Sequence, residues 1–350
     1  MTASITSARK ATVDVTPNID GALLHGGNLG AARLLFPDAP EPFVDLSTGI
    51  NPRPYPVPPL PPETLARLPE PADLARLAAV AAAAYRAPSP GCVVAAPGTQ
   101  ILIAPVAALV PPGNAAVLGP TYGEFGRATR LAGHDVVEVS GLRELEEADL
   151  AVVVNPNNPD GRVFCRRELV ELAAARRGGI LVVDEAFMDT GPDGASLCEE
   201  VTRGGVVVLR SFGKFFGLAG VRLGFAVTAP AIAERLAATL GPWAVSGPAI
   251  AIGQAALADR AWIAATREHL AQDARRLDEV LAQAGLALAG GTPLFRLART
   301  PAAGPLFERL GRAGILVRRF EERPDWLRFG LPGSASAWER LRIALGEPQA

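Results

Sequence analysis

Short runs of apolar, often β-branched residues recur through the middle of the chain: CVVAA (92–96), AAVL (115–118), LAVVV (150–154), ILVVD (180–184), VVVLR (206–210) and RLGFAV (222–227), with the more polar DVVEV (135–139) among them. Most show no polar alternation, so they predict strands covered on both faces. Helical patterns follow, starting near Gln100 and Tyr122. Strands alternating with helices predict an α/β domain around a mostly parallel seven-stranded sheet. From 248 to 284 the pattern is one of long helix, and the later runs LFRLA, GILVRRF and WLRFG, with helices between them, predict a smaller α+β domain. The chain divides into an N-terminal arm and loop (1–45), a large domain (46–276) and a small domain (277–350).

The proline-rich run NPRPYPVPPLPPE (51–63) cannot be helix or ladder and predicts an extended connector. The uncharged stretch 236–258 is long enough by count to cross a bilayer. It is broken by Pro242, Pro248 and three glycines and is otherwise rich in alanine, so a buried loop entering a helix is the better reading. The first twenty residues lack the apolar centre of a signal peptide and predict a polar arm.

The 350 residues carry 34 Lys and Arg against 36 Asp and Glu, a formal charge of −2, which gives no global attraction to nucleic acid or to a membrane surface. Any anion must be bound locally. Three cysteines, Cys92, Cys165 and Cys198, stand far apart with no paired spacing, which argues against a disulfide scaffold or structural zinc and fits a reducing cytoplasm.

Among the 34 basic residues only Lys10 and Lys214 are lysine. A guanidinium stays protonated, whereas an amine can lose its proton and attack a carbonyl. Lys214, in SFGKFFGLAG, is therefore a candidate nucleophile; a lysine left by chance is the alternative.

Ligands of open α/β sheets bind at the carboxyl ends of strands. After 92–96, Gly98 and Thr99 open a helix whose exposed N–H groups can hold an anion. After 115–118 comes Tyr122, an aromatic face for a flat ring or simply a core tyrosine. After 150–154 comes NPNNPDG, in which Asn158 can offer an amide to a ring oxygen or serve an ordinary turn. Asp184 ends a fully apolar strand and needs a cation: a protonated pyridine nitrogen, an arginine or a metal. Ser211 and Arg222, flanking Lys214, can join Gly98 and Thr99 in holding a phosphate. Those needs together describe pyridoxal 5′-phosphate.

NPNNPDG, DEAF, SFGKFFGLAGVRLGF and the arginine of LRFG together resemble the class I/II aminotransferase family of fold type I, closest to its histidinol-phosphate aminotransferase-like branch. The resemblance implies that Lys214 joins the cofactor covalently, Asp184 meets the pyridine nitrogen, Asn158 the ring oxygen and Tyr122 the ring face. It places Gly98, Thr99, Ser211 and Arg222 on the phosphate, and Tyr55 at the neighbouring site of a homodimer. Arg328 would bind a substrate carboxylate and Arg318 a distal anion. Two positions depart from the pattern: Gly213 stands where a Ser or Thr is usual, and Phe187 where aminotransferases usually have a tyrosine.

Within that family, LHGGNLGAARLLFP (24–37) followed by VDLSTGINPRPYP resembles the threonine-phosphate decarboxylase branch, linked to cobalamin biosynthesis. The resemblance implies loss of CO2 from L-threonine O-3-phosphate rather than transamination, with histidinol-phosphate aminotransferase as the same-fold alternative and a non-catalytic ligand-binding protein as a remote one. His25, Gly26, Gly27 and Asn28 suit a second phosphate, since two glycines let backbone N–H groups approach and the flanking side chains add donors. A surface loop histidine is the plainer reading of His25.

Overall fold

A computed structural model describes residues 26–346. The seven apolar runs form β2 (Val93–Ala96), β3 (Asn114–Leu118), β4 (Asp135–Val139), β5 (Leu150–Val154), β6 (Ile180–Asp184), β7 (Val206–Ser211) and β8 (Gly224–Thr228), following the short β1 (Val44–Leu46). They make one sheet in the order β2-β8-β7-β6-β5-β3-β4. All neighbours run parallel except β8, which is antiparallel to both β7 and β2. Every residue of β2, β5, β6 and β8 is buried, as continuous apolar runs require, whereas edge strand β4 is largely exposed, as its polar residues require.

A second sheet has the order β1-β11-β12-β10-β9, with β9 (Ala287–Thr292), β10 (Phe295–Arg299), β11 (Ile315–Arg319) and β12 (Trp326–Gly330). β1 pairs parallel with β11, so a strand from the start of the chain completes the sheet formed near its end. The helix Arg260–Gln283 runs unbroken between the sheets, and Asp259 caps it by accepting from the Trp262 N–H at 2.9 Å. The 236–258 stretch forms the end of helix Pro230–Leu240, a loop and helix Gly247–Ala258. Among the described residues no helix is long and apolar enough to cross a membrane.

The extended connector also positions the site. Asn51 donates its N–H to the Lys214 carbonyl at 3.0 Å and its side-chain amide to the Phe215 carbonyl at 2.9 Å, and the Tyr55 N–H reaches the Phe216 carbonyl at 2.9 Å. Proline leaves few donors in this run, and three of them, from Asn51 and Tyr55, are spent on the segment carrying the reactive lysine, while the Arg53 N–H turns back to Asn51 Oδ1 at 2.9 Å.

Candidate active site

The antiparallel strand explains how residues more than 110 positions apart in sequence meet. Gly224, at the start of β8, is opposite Ala96 at the end of β2 and Ser211 at the end of β7. Thr99, Ser211 and Arg222 therefore gather at one corner of the sheet. Gly98 has φ +86°, and a Cβ there would lie 2.6 Å from an Arg222 guanidinium nitrogen. Only glycine combines that backbone with that approach. Neither Thr99 nor Ser211 caps the helix it precedes with its side chain. The corner thus offers a guanidinium, two hydroxyls and a helix start, a donor set that suits a phosphate.

Asp184 lies on β6 near the centre of the sheet and is 7% exposed. Its Oδ1 accepts from the Ala186 N–H at 3.1 Å, and among the described residues no ion pair compensates it. Burial pushes its pKa up to about 7, although the Ala186 N–H and the Lys214 ammonium both favour the carboxylate. A buried carboxylate with one hydrogen bond fits a protonated ring nitrogen as its counter-ion.

Lys214 sits in the one-turn helix Phe212–Phe215. Its Nζ donates to the Thr48 carbonyl at 3.4 Å and lies 5.9 Å from the Phe187 ring centroid. Burial, reinforced by the nearby Arg328 guanidinium, lowers its pKa to about 8. The amine is thereby brought near neutrality, as a carbonyl-attacking lysine needs to be. Phe187 packs edge-on against Phe295 with centroids 5.0 Å apart, and the Arg328 guanidinium carbon lies 5.0 Å from the Phe295 centroid. One aromatic pair therefore backs both cations.

Arg328, on β12, is directly opposite Arg318 on β11. Its guanidinium donates to the Ser47 carbonyl and to Asn158 Oδ1, while its buried Nε has no partner among the described residues. Burial and then Arg318 lower its pKa to about 9. Asn158 thus spends its carbonyl oxygen on Arg328, and the amide nitrogen is the atom left to face a ring oxygen. Tyr122 donates its hydroxyl to Gln100 Oε1 at 3.1 Å, and Gln100 Nε2 donates to Glu124 Oε2 at 3.0 Å. Burial and then Glu124 raise the Tyr122 pKa to about 12, so it stays a neutral phenol. Arg318 is partly buried near Tyr122, which favours its charged form against a burial that lowers its pKa.

Gly26 and Gly27 form a turn against the end of β1. The Gly27 N–H donates to Ser47 Oγ at 2.8 Å with φ +90°, and a Cβ on Gly26 would run into the Ser47 carbonyl. Asn28, expected to donate to an anion, accepts from the Ala31 N–H at 3.0 Å with its side-chain oxygen and so caps helix Leu29–Leu35. His25 lies outside the described residues. Within the chain Tyr55 packs beside the lysine segment, its ring edge-on to Phe216 at 6.3 Å and to Trp262 at 5.1 Å, and its hydroxyl reaches Asp259 Oδ2 at 3.4 Å.

Three features escape a reading by strand ends. Ser47 and Thr48, after β1, supply carbonyls to Arg328 and Lys214, although β1 belongs to the other sheet. Glu185, Arg210 and Asp189 form a buried ionic cluster beneath the Asp184 turn, with Arg210 Nη1 2.8 Å from Glu185 Oε2 and a second contact to Asp189. Its sequence trace is the acidic residues of DEAFMD and the arginine that ends the apolar run VVVLR. Gly213 is glycine for a packing reason, since a Cβ there would lie 2.8 Å from Ala219 Cα.

Residues 73–344 match the family described as aminotransferase class I and II. The chain is 44% identical over 328 residues to a threonine-phosphate decarboxylase of Pseudomonas aeruginosa, covering 92% of this chain and 97% of that one. It is 42% identical over 332 residues to a threonine-phosphate decarboxylase of a Sinorhizobium species, with the same coverage. The fold is similar to that of the histidinol-phosphate aminotransferase of Sinorhizobium meliloti, solved in complex with pyridoxal-5′-phosphate, with a TM-score of 0.78 and 20% identity over 96% of this chain and 97% of that one. With its fold and most of its length matched in this way, the chain belongs to the class I and II aminotransferase family.

Proposed function

We propose that the chain is a pyridoxal-phosphate-dependent carboxy-lyase that converts L-threonine O-3-phosphate to (R)-1-aminopropan-2-yl phosphate and CO2. The observation that carries this reading is that Ser47 holds both a buried arginine suited to a carboxylate, Arg328, and the Gly26–Gly27 turn of the segment proposed for a second anion, next to Thr48, whose carbonyl accepts from the desolvated amine of Lys214. The names of the two relatives at 44% and 42% identity support the choice of reaction.

In this reading Gly98, Thr99, Ser211 and Arg222 hold the cofactor phosphate, Asp184 keeps the ring nitrogen protonated, Asn158 donates to the ring oxygen and Tyr122 covers the ring. Bound pyridoxal phosphate supplies the electron sink that accepts the pair released as the carboxylate leaves. Lys214 holds the cofactor and returns a proton from Nζ to the substrate α-carbon. Arg328 binds the substrate carboxylate, and Gly26, Gly27, Asn28, Arg318 and His25 receive its phosphate. Holding both anions sets the torsion about the α-carbon, so that the bond to the carboxylate, and not that to hydrogen, is the one aligned for cleavage. Phe187, lacking the hydroxyl usual in aminotransferases, is in keeping with a site that does not transaminate. The proposal extends to a homodimer in which Tyr55 reaches the neighbouring site, to a cytoplasmic location and to a product destined for the corrinoid side chain.

The test is incubation of the purified protein with L-threonine O-3-phosphate and no amino acceptor. Release of CO2 equimolar with the aminopropanol phosphate is expected; no release, with 2-oxoglutarate-dependent consumption of histidinol phosphate, would overturn the proposal.

A further inference from the structure

Ser47 is 1% exposed and all its polar atoms are engaged. Its N–H and Oγ both donate to Asp45 Oδ1, at 2.8 and 2.6 Å. With its proton committed to Asp45, Oγ is left as an acceptor, and it takes the Gly27 N–H at 2.8 Å. Its carbonyl accepts from Arg328. The same carbonyl is the group that Gly26 packs against so closely that a Cβ there would collide with it. One buried residue thus fixes both the glycine turn and the guanidinium of β12, which belong to segments 300 positions apart in sequence.

We propose that Ser47, oriented by Asp45, is a positioning residue that sets the spacing between the two anion sites of the substrate, so that carboxylate and phosphate are bound as a matched pair rather than independently. The inference rests on the reading of the Gly26–Gly27 turn as the phosphate site. It also gives a role to the buried, fully hydrogen-bonded Ser47 just beyond a three-residue strand: a shared anchor transmits any displacement of one site to the other, and misplacement of the order of 1 Å is enough to cost about a hundredfold in rate.

The experiment compares 3-phosphoglycerate with glycerate, which carry the carboxylate with and without a phosphate and lack the amine needed for turnover. Dissociation constants are measured by calorimetry on the cofactor-loaded wild type, on Ser47→Ala, and on Asp45→Ala, which breaks the same chain of bonds should the first variant fold poorly. The wild type is expected to prefer the phosphorylated ligand. Either variant should reduce that preference about tenfold, the equivalent of about 1.4 kcal/mol. Asp45→Asn, whose amide oxygen can still accept both bonds, should retain most of it. An undiminished preference in both alanine variants would overturn the role of Ser47 while leaving the phosphate site intact. No preference in the wild type would overturn the phosphate reading of the turn, and the linkage with it. As a second readout, the fraction of turnovers of threonine O-3-phosphate diverted to transamination should rise in Ser47→Ala. A purely structural defect would lower the active fraction without changing that ratio.

Discussion

Asn158 accepts a hydrogen bond from Arg328, which ties the Asn-Pro turn after β5 in the large sheet to β12 in the small one. The Nε of the same guanidinium is already buried without a partner among the described residues. Replacing Asn158 by alanine leaves the arginine with the Ser47 carbonyl alone. The loss of a charge-assisted bond predicts a fall in kcat/KM of about 10- to 100-fold, that is roughly 1.5–3 kcal/mol, measured by steady-state CO2 release.

Asp184 gives a pH signature in the cofactor-free protein. Its folded pKa of about 7 lies above the ordinary 3.8, so between these values the folded state holds a proton that the unfolded state releases. Its contribution to stability is therefore lost as pH rises through that window. Asp184→Asn removes this dependence. The stability of the variant relative to wild type should be greater at pH 8 than at pH 5 by about 2–3 kcal/mol, read from urea unfolding at the two pH values. An equal difference at both would show that the carboxylate is not desolvated.

Gly213→Ser restores the hydroxyl that related enzymes usually carry before the lysine. With Ala219 Cα 2.8 Å from the position of the new Cβ, the backbone must move. The expected outcome is destabilisation by about 1–3 kcal/mol with no gain in cofactor affinity, checked by thermal unfolding and by cofactor titration.

Arg210 stands between Glu185 and Asp189 in the buried cluster. Arg210→Leu strands two carboxylates away from water and should cost about 3–5 kcal/mol of unfolding free energy, far more than a surface ion pair such as Arg312–Glu308. Chemical denaturation of both variants, Arg210→Leu and Arg312→Leu, measures the contrast.

The large sheet was legible because its strands are buried on both faces and so read as unbroken apolar runs, and the rule that ligands gather at strand ends then pointed to Gly98, Asp184, Ser211 and Lys214. What could not be read was contact between segments whose order in sequence differs from their order in space. β1 joins β11, and that pairing brings Ser47 to Arg328; three residues of VDL carry too little pattern to declare a partner. Asn28 shows a different limit: the sequence offers it as a donor to an anion, and only the structure adds that its side-chain oxygen caps helix Leu29–Leu35. Gly213 reads as a missing hydroxyl until the approach of Ala219 is seen.

The most direct measurement is reduction of the cofactor-loaded protein with borohydride followed by peptide mapping in a mass spectrometer. The cofactor's added mass is expected on the peptide containing Lys214, and no such mass is expected in Lys214→Ala treated in the same way. A label on Lys10, or a label retained by Lys214→Ala, would contradict it.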